Sequence, residues 1–176
     1  RSILVDSRAD LLIFGMGESQ VLQIASKLSA GTPVSEIRDV YGTCFMVGSE
    51  ESFPSGAMEI PSHERVSVDK SDYAAAFKVQ YLEQDPIRGH AVTQKHGDRY
   101  LVQLPPAMPL DTREMDRIYS LPYMRTWHPS YDEAGGVPAI EEVQFSITSH
   151  RGCFGACSFC AIGSHQGRII QQRSHK

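Results

Sequence analysis

Three cysteines crowded into eight residues constrain this chain more than any other feature. Cys153, Cys157 and Cys160 follow a C-x3-C-x2-C spacing, and a loop this short allows three sulfurs to approach one centre. Thiolates are soft, anionic ligands that suit iron–sulfur clusters and zinc, whereas carboxylates suit harder ions. The spacing therefore predicts a metal centre with these three cysteines as its protein ligands.

No fourth cysteine lies near this predicted centre. Structural zinc sites use four protein ligands, and ordinary ferredoxin clusters use four cysteines. The remaining cysteine, Cys44, lies in the apolar run 43–47, and we predict that it is a small buried hydrophobic residue. A cluster held by three cysteines leaves one iron with an open coordination position, as catalytic metal sites do when they bind a substrate or cofactor directly.

The cysteine spacing and its flanks resemble those of a known enzyme superfamily. The pattern C-x3-C-x-aromatic-C, with Phe159 before the last cysteine, resembles the signature of radical S-adenosylmethionine enzymes. The resemblance is closest to the YgiQ-type group of that superfamily and extends over most of the chain. The similar stretches are KHGDRYLVQ (95–103), TWHPSY (126–131), IEEV (140–143), FSITSHRG (145–152) and HQGRIIQ (165–171).

This resemblance implies a cofactor pair and a type of reaction. Cys153, Cys157 and Cys160 would hold a 4Fe-4S cluster, S-adenosyl-L-methionine would bind the open iron, and Phe159 would lie near the adenine. In that superfamily the reduced cluster passes one electron to the sulfonium, and the resulting 5'-deoxyadenosyl radical abstracts hydrogen from the substrate. The expected partners are an unknown substrate and a reductant such as flavodoxin or ferredoxin.

Two functions of other classes stay open. His150 and His165 flank the cysteines and could complete a structural Cys3His zinc site. A plain electron-transfer protein would carry an iron–sulfur cluster without cleaving S-adenosylmethionine. Arg151 and Arg168 also flank the loop and could contact a cofactor carboxylate, although such residues are more often loop or surface residues.

Composition limits the compartment and the partners. The 176 residues are 41% hydrophobic and 22% charged, which is enough for one sizeable core. A formal net charge of -4 without a long charge run gives no electrostatic argument for nucleic acid. The absence of a long apolar stretch or signal-peptide pattern predicts no membrane association. One odd cysteine beside a tight triplet favours a reducing, cytoplasmic compartment over a secreted disulfide framework.

The first residues predict a strand, a tight turn and a helix. The apolar run 10–14 is bounded by Gly15-x-Gly17, and Val21, Ile24, Ala25 and Leu28 follow at helical spacing before Gly31. The turn lacks the third glycine of a phosphate-binding G-x-G-x-x-G motif, and acidic Glu18 lies where a phosphate would approach. We therefore interpret it as a tight turn in a parallel α/β unit that continues into strand 43–47.

The middle and end of the chain predict further elements. They are a loop over 48–67, a helix capped by Asp69 or Ser71 with Ala74, Phe77 and Tyr81 on one face, a hairpin turning at 96–98, a capping-box helix from Asp111, and a strand over 141–149 that delivers the cysteines. We predict that His96 is a solvated turn residue. The aromatic and histidine cluster of 123–137 is predicted to cover a core edge.

These elements predict an α/β fragment with three regions. Residues 1–48 resemble the end of a Rossmann-like, cobalamin-binding-like domain, but the chain lacks an Asp-x-His-x-x-Gly motif, and we predict no cobalamin binding. Residues 49–138 would be a connecting region with helices and the hairpin, and 139–176 the start of a partial TIM-like radical S-adenosylmethionine core. The chain begins without methionine and ends soon after the cysteines, so we expect an excised fragment that is inactive alone.

Overall fold

A five-stranded mixed sheet organises the first of two compact units in this computed structural model, which describes residues 1–49 and 51–175. This unit comprises Arg1–Pro109 and Gly152–Ile169. Its strands are β1 (Leu11–Ile13), β2 (Thr43–Gly48), β3 (Met58–Ile60), β4 (Val92–His96) and β5 (Arg99–Gln103). They lie in the order β1-β2-β5-β4-β3, in which β3 runs parallel to β4 and the other neighbours are antiparallel. The predicted α/β class is confirmed.

The helices of this unit lie between the strands, before them and in the cysteine region. They are α1 (Ile3–Ser7), α2 (Glu18–Ser29), α3 (His63–Val68), α4 (Lys70–Leu82) and α7 (Ile162–His165), with a 3-10 turn over Val34–Glu36. The loop predicted over 48–67 instead contains β3 and most of α3. That prediction failed because a three-residue strand at a sheet edge is too short to show a recognisable alternation of apolar and polar residues.

Helix α2 confirms one prediction and overturns another. Gly31 adopts a φ of 87°, and the N–H groups of Gly31 and Thr32 donate to the carbonyls of Leu28 and Lys27, which is the Schellman ending that glycine favours. However, Val21 and Leu28 on its apolar face are 54% and 47% exposed. A parallel crossover needs its helix to pack on the sheet; β1 and β2 pair antiparallel instead, so the predicted parallel unit is wrong.

Helix α4 begins where the sequence predicts but buries a different face. The Asp69 carboxylate accepts the N–H groups of Ser71 and Asp72, which confirms the N-cap. The buried contact is made by Ala76 and partly buried Val79, packed against Ile60 and Val92. Phe77, on the predicted face, is 58% exposed. Apolar residues occupy both faces of this helix, so periodicity alone could not identify the face that meets the sheet.

The main core lies on the central strands β2 and β5. Its buried residues are Phe45, Val47, Ala91, Val102 and Leu104. The predicted hairpin is confirmed as the antiparallel pair β4 and β5, with Gly97 at a φ of 63° in the turn. Strands that come before the predicted boundary at residue 48 and strands that come after it therefore belong to one sheet.

The second compact unit comprises Leu110–Arg151 and the segment that begins at Ile170. It contains α5 (Thr112–Tyr119), a 3-10 turn over Pro129–Tyr131, α6 (Ile140–Val143) and a two-residue ladder of β6 (His150–Arg151) with β7 (Gln171–Gln172). The capping box from Asp111 to Glu114 is confirmed. Leu110, Met115 and Ile118 form the core of this unit.

The strand predicted over 141–149 is wrong. Residues 140–143 form α6, and Phe145 and Ile147 are 90% and 82% exposed. Among the described residues no strand pairs with 141–149. A strand with one apolar face gains stability only beside partners that satisfy its backbone and cover that face, so its alternation alone does not produce a strand.

Candidate functional site

The cysteine segment, defined as residues 152–169, folds back on itself within the first unit. Its ends are joined by two hydrogen bonds: the Cys153 N–H donates to the Gly167 carbonyl at 3.1 Å, and the Gly152 N–H donates to Gln166 Oε1 at 3.1 Å. Inside the segment, the Cys160 N–H donates to the Cys157 carbonyl at 3.0 Å. The segment is thus a closed loop that presents the three thiols and contains α7 after the last cysteine.

Gly155 lies between two of the sulfurs. A Cβ on this residue would stand 3.3 Å from Cys153 Sγ and 3.7 Å from Cys157 Sγ. The Gly155 N–H also donates to Cys153 Sγ at 3.4 Å. A side chain here would crowd the Cys153 sulfur and contact the Cys157 sulfur. The Gly155 amide provides the kind of N–H···S contact that tunes iron–sulfur clusters.

The structure does not gather the predicted ligands into a closed site. All four cysteines are free, and within residues 1–49 and 51–175 no group of three or more His, Cys, Asp or Glu side chains is arranged to hold a metal ion. His150 is exposed and contacts Ser149, while His165 is exposed at the end of α7. Phe159 is 91% exposed. The thiols lie on one short loop, but neither histidine joins them as a preformed zinc ligand.

The two flanking arginines have different partners. Arg151 is 7% exposed in the second unit, where its guanidinium lies 5.1 Å from the ring centre of Tyr119 and its Nε donates to the Tyr119 hydroxyl at 3.0 Å. Arg168 lies over the ring of Tyr81 at 4.0 Å. Sequence reasoning missed both tyrosines because each is distant from its arginine along the chain.

Cys44 takes no part in this loop. It is 4% exposed in β2, and burial raises the pKa of its thiol to about 12. A thiol with that pKa stays protonated at neutral pH and is a poor metal ligand. The prediction of a small buried hydrophobic residue is confirmed.

The glycine turn after β1 serves close packing. Gly15 has a φ of 74°, and a Cβ there would stand 3.4 Å from the His165 carbonyl oxygen. A Cβ on Gly17 would lie 2.8 Å from Cγ2 of Ile13. Both observations agree with the interpretation of a tight structural turn, and they place this turn against the cysteine segment.

His96 is buried, contrary to the predicted solvated turn residue. It is 8% exposed, its ring stacks on His63 with centroids 5.1 Å apart, and its Nε2 lies 3.1 Å from Gln94 Oε1. Burial, followed by the charge of His63, lowers the pKa of His96. Strand β4 runs one residue further than its apolar pattern indicates, which turns His96 toward the protein. It lines a cavity of about 520 Å³ together with Arg8, Arg38 and Arg99.

The chain is an α/β protein with three free thiols on one short loop. Comparison with known families is more specific. Residues 1–146 match the Radical SAM N-terminal family, and the chain belongs to that family. The matched region ends before Cys153 and does not cover the cysteine segment.

Similar proteins extend the comparison over the whole chain. A UPF0313 protein of Clostridium botulinum (strain ATCC 19397 / Type A) is 55% identical over 174 residues, which are 99% of this chain and 27% of that protein. A UPF0313 protein of Clostridium perfringens (strain ATCC 13124) is 51% identical over 99% of this chain and 26% of that protein. The chain thus spans about a quarter of these relatives. No solved structure matches it. The predicted relationship to the radical S-adenosylmethionine superfamily is confirmed.

Within the described ranges, no helix combines the length and the apolar character that crossing a lipid bilayer requires.

Proposed function

We propose that the full-length protein is a radical S-adenosylmethionine enzyme whose 4Fe-4S cluster is held by Cys153, Cys157 and Cys160. The observation that carries this proposal is the presence of three free thiols within one closed loop of a chain that belongs to the Radical SAM N-terminal family. A three-thiol set leaves one iron position for S-adenosylmethionine. Phe159, at 91% exposure, is the proposed contact for its adenine.

The residues of the loop fit an iron–sulfur cluster in their chemistry. Soft thiolates are the ligands that such clusters require. Gly155 leaves open the space between two sulfurs that a Cβ would fill, and its N–H already faces Cys153 Sγ. Cluster binding would draw the three thiols together, since the described residues do not hold a closed site beforehand.

The role of this chain would be to bind the cluster and S-adenosylmethionine and to orient them. The 4Fe-4S cluster that Cys153, Cys157 and Cys160 would hold would supply one electron for reductive cleavage of S-adenosylmethionine, and with it the means to abstract hydrogen from the substrate. The loop would keep the thiols together through its closing hydrogen bonds, and the exposed Phe159 would stack on the cofactor. The substrate is unknown.

The proposal includes the setting in which the enzyme works. The electron would come from a reductant such as flavodoxin or ferredoxin. Four free cysteines are in keeping with a reducing, cytoplasmic compartment. Residues 139–176 would begin the core domain, and residues 49–138 would connect the preceding part of the chain to it. The chemistry would therefore be shared between this chain and the rest of the protein.

Anaerobic reconstitution of the full-length protein tests the proposal. The protein is loaded with iron and sulfide, reduced with dithionite in the presence of S-adenosylmethionine, and assayed for 5'-deoxyadenosine. We expect visible absorption that bleaches on reduction, followed by 5'-deoxyadenosine formation. A cluster without this product would support an electron-transfer protein instead. Stoichiometric zinc without visible absorption would support the structural Cys3His module.

A further inference from the structure

We propose that Arg168 is a positioning residue that fixes the cysteine segment against the C-terminal end of α4 and thereby orients Cys153. The role of this contact in cluster binding rests on the proposed function. The contact itself is a property of the chain and can be tested without a cluster.

Arg168 makes two contacts with one residue of α4. Its guanidinium carbon lies 4.0 Å from the ring centre of Tyr81, well inside the range of a cation–π interaction. Its Nη2 also donates to the Tyr81 backbone carbonyl at 3.4 Å. Because α4 ends at Leu82, this carbonyl belongs to the last turn, whose carbonyls have no partner within the helix. The helix dipole favours a cation at this end.

The same stretch of chain is bonded to the first cysteine. The neighbouring Gly167 carbonyl accepts the Cys153 N–H, and the Gln166 side chain accepts the Gly152 N–H, each at 3.1 Å. A displacement at Arg168 would therefore be passed through these two hydrogen bonds to the backbone of Gly152 and Cys153. Cys157 and Cys160 lie in the middle of the segment, where the Cys160 N–H donates to the Cys157 carbonyl at 3.0 Å.

A second contact, separate from that of Arg168 with α4, also holds the cysteine segment in place. The carbonyl of His165 lies against Gly15 in the turn after β1. The cysteine segment therefore contacts the rest of the first unit at that turn as well as at α4. Two separate contacts restrict rotation in a way that one does not. Arg168 supplies the side-chain part of this attachment, and the Gly15 contact is made by backbone.

Thiol alkylation in the full-length apo protein tests the positioning role directly. Iodoacetamide labelling of Cys153 and Cys157 is followed by mass spectrometry in the wild type, Arg168→Ala, Arg168→Lys, Tyr81→Leu and the matched control Tyr81→Phe. We expect Cys153 to react about two- to fivefold faster in Arg168→Ala and Tyr81→Leu, the factor that loss of an exposed cation–π contact corresponds to. Cys157, already exposed, should react at an unchanged rate.

The control and the lysine variant make the result specific. Tyr81→Phe keeps the ring and the backbone carbonyl and should match the wild type, while Arg168→Lys keeps the charge without the planar stack and should fall between. Equal labelling of Cys153 in the wild type, Arg168→Ala and Arg168→Lys would overturn the positioning role. Faster labelling of both cysteines by the same factor would also overturn it, since that indicates general loosening.

Reconstituted protein then separates this inference from the proposed function. In cluster-loaded samples we expect Arg168→Ala to release iron to a chelator two- to fivefold faster and to show an altered electron paramagnetic resonance spectrum after reduction. If the wild type takes up no cluster, the proposed function fails while the alkylation result still decides the role of Arg168. If the wild type binds a cluster and Arg168→Ala has an unchanged spectrum and release rate, the positioning role fails alone.

Discussion

Gly152 lies so close to Ile169 that a Cβ on the glycine would stand 2.4 Å from the Ile169 carbonyl oxygen. The Gly152 backbone also has a φ of 86°, a conformation that residues with a Cβ adopt at a cost. Gly152 thus permits the two ends of the cysteine segment to meet. Its close contacts are with the backbone that closes the segment.

Substitution of Gly152 by alanine should open the cysteine segment. Gly167 provides a matched control, because it has the same φ of 86° but no atom within 4 Å of its Cβ position. Gly167→Ala should cost only the left-handed strain, about 1–2 kcal/mol, whereas Gly152→Ala adds a backbone overlap that cannot be relieved by a rotamer change. We expect faster limited proteolysis within 152–169 and reduced iron uptake for Gly152→Ala in the full-length protein. Equal behaviour of the two variants would show that the overlap is unimportant.

Substitution of each cysteine by alanine should separate the three proposed ligands from Cys44 by their effect on iron content. Cys153→Ala, Cys157→Ala and Cys160→Ala in the full-length protein should each abolish cluster assembly, because each removes one of three proposed ligands. Cys44→Ala is the control: its thiol is buried, with a pKa raised to about 12, and its loss should cost about 1 kcal/mol of stability without lowering iron content. Iron and sulfide analysis after reconstitution measures the outcome. Full iron content in any variant of the triplet would refute that ligand assignment.

Sequence reasoning succeeded where the cause is local. The capping box at Asp111 and the glycine ending at Gly31 depend on residues within one helical turn, so the sequence is sufficient to identify them. The Asp69 N-cap belongs to the same group. These features fix where elements begin and end, which is why α2, α4, α5 and the hairpin were predicted.

It failed where distant partners decide the result. The buried face of α4 is set by Ile60 and Val92 across the sheet, and the burial of His96 depends on where β4 ends and on His63. The predicted strand over 141–149 has no partner among the described residues. For the candidate site, spacing was enough to select three cysteines, but the Arg168 contact with Tyr81 is separated by 87 residues and leaves no trace in a local pattern.

The fluorescence of the single tryptophan, Trp127, can test the packing at a second pair of glycines, Gly135 and Gly136. A Cβ on Gly136 would lie 2.6 Å from the Trp127 ring, whereas neighbouring Gly135 has nothing within 4 Å, and both have positive φ, 83° and 85°. In this chain, Gly136→Ala should displace the indole and break its hydrogen bond to Asp132, which is 2.7 Å long. We expect a red-shifted emission maximum for Gly136→Ala and an unchanged one for Gly135→Ala. Matching emission from both variants would contradict the packing of Trp127 on Gly136.

His96 should make stability depend on pH below neutrality. Burial, followed by the nearby charges of His63 and Arg1, lowers the pKa of His96 from its ordinary 6.5, while Glu64 acts in the opposite direction. In the window between the lowered folded pKa and 6.5, the unfolded chain therefore binds more protons than the folded one. The contribution of His96 is present above pH 6.5 and is lost as the pH falls below that value, with a slope of at most about 1.4 kcal/mol per pH unit.

Replacing His96 by glutamine tests this dependence, because it should change the slope of the unfolding free energy against pH. Glutamine is neutral at every pH, so the unfolding free energy of His96→Gln should vary less than that of the wild type between about pH 6.5 and 5, whatever its absolute stability. Glu64, whose pKa is lowered to about 2 mainly by its own and the Gly97 backbone N–H groups, loses its contribution in a lower window, between its ordinary 4.5 and about 2. Urea unfolding at several pH values separates the two windows. An identical slope in wild type and His96→Gln above pH 5 would mean that burial of His96 does not disfavour its protonation.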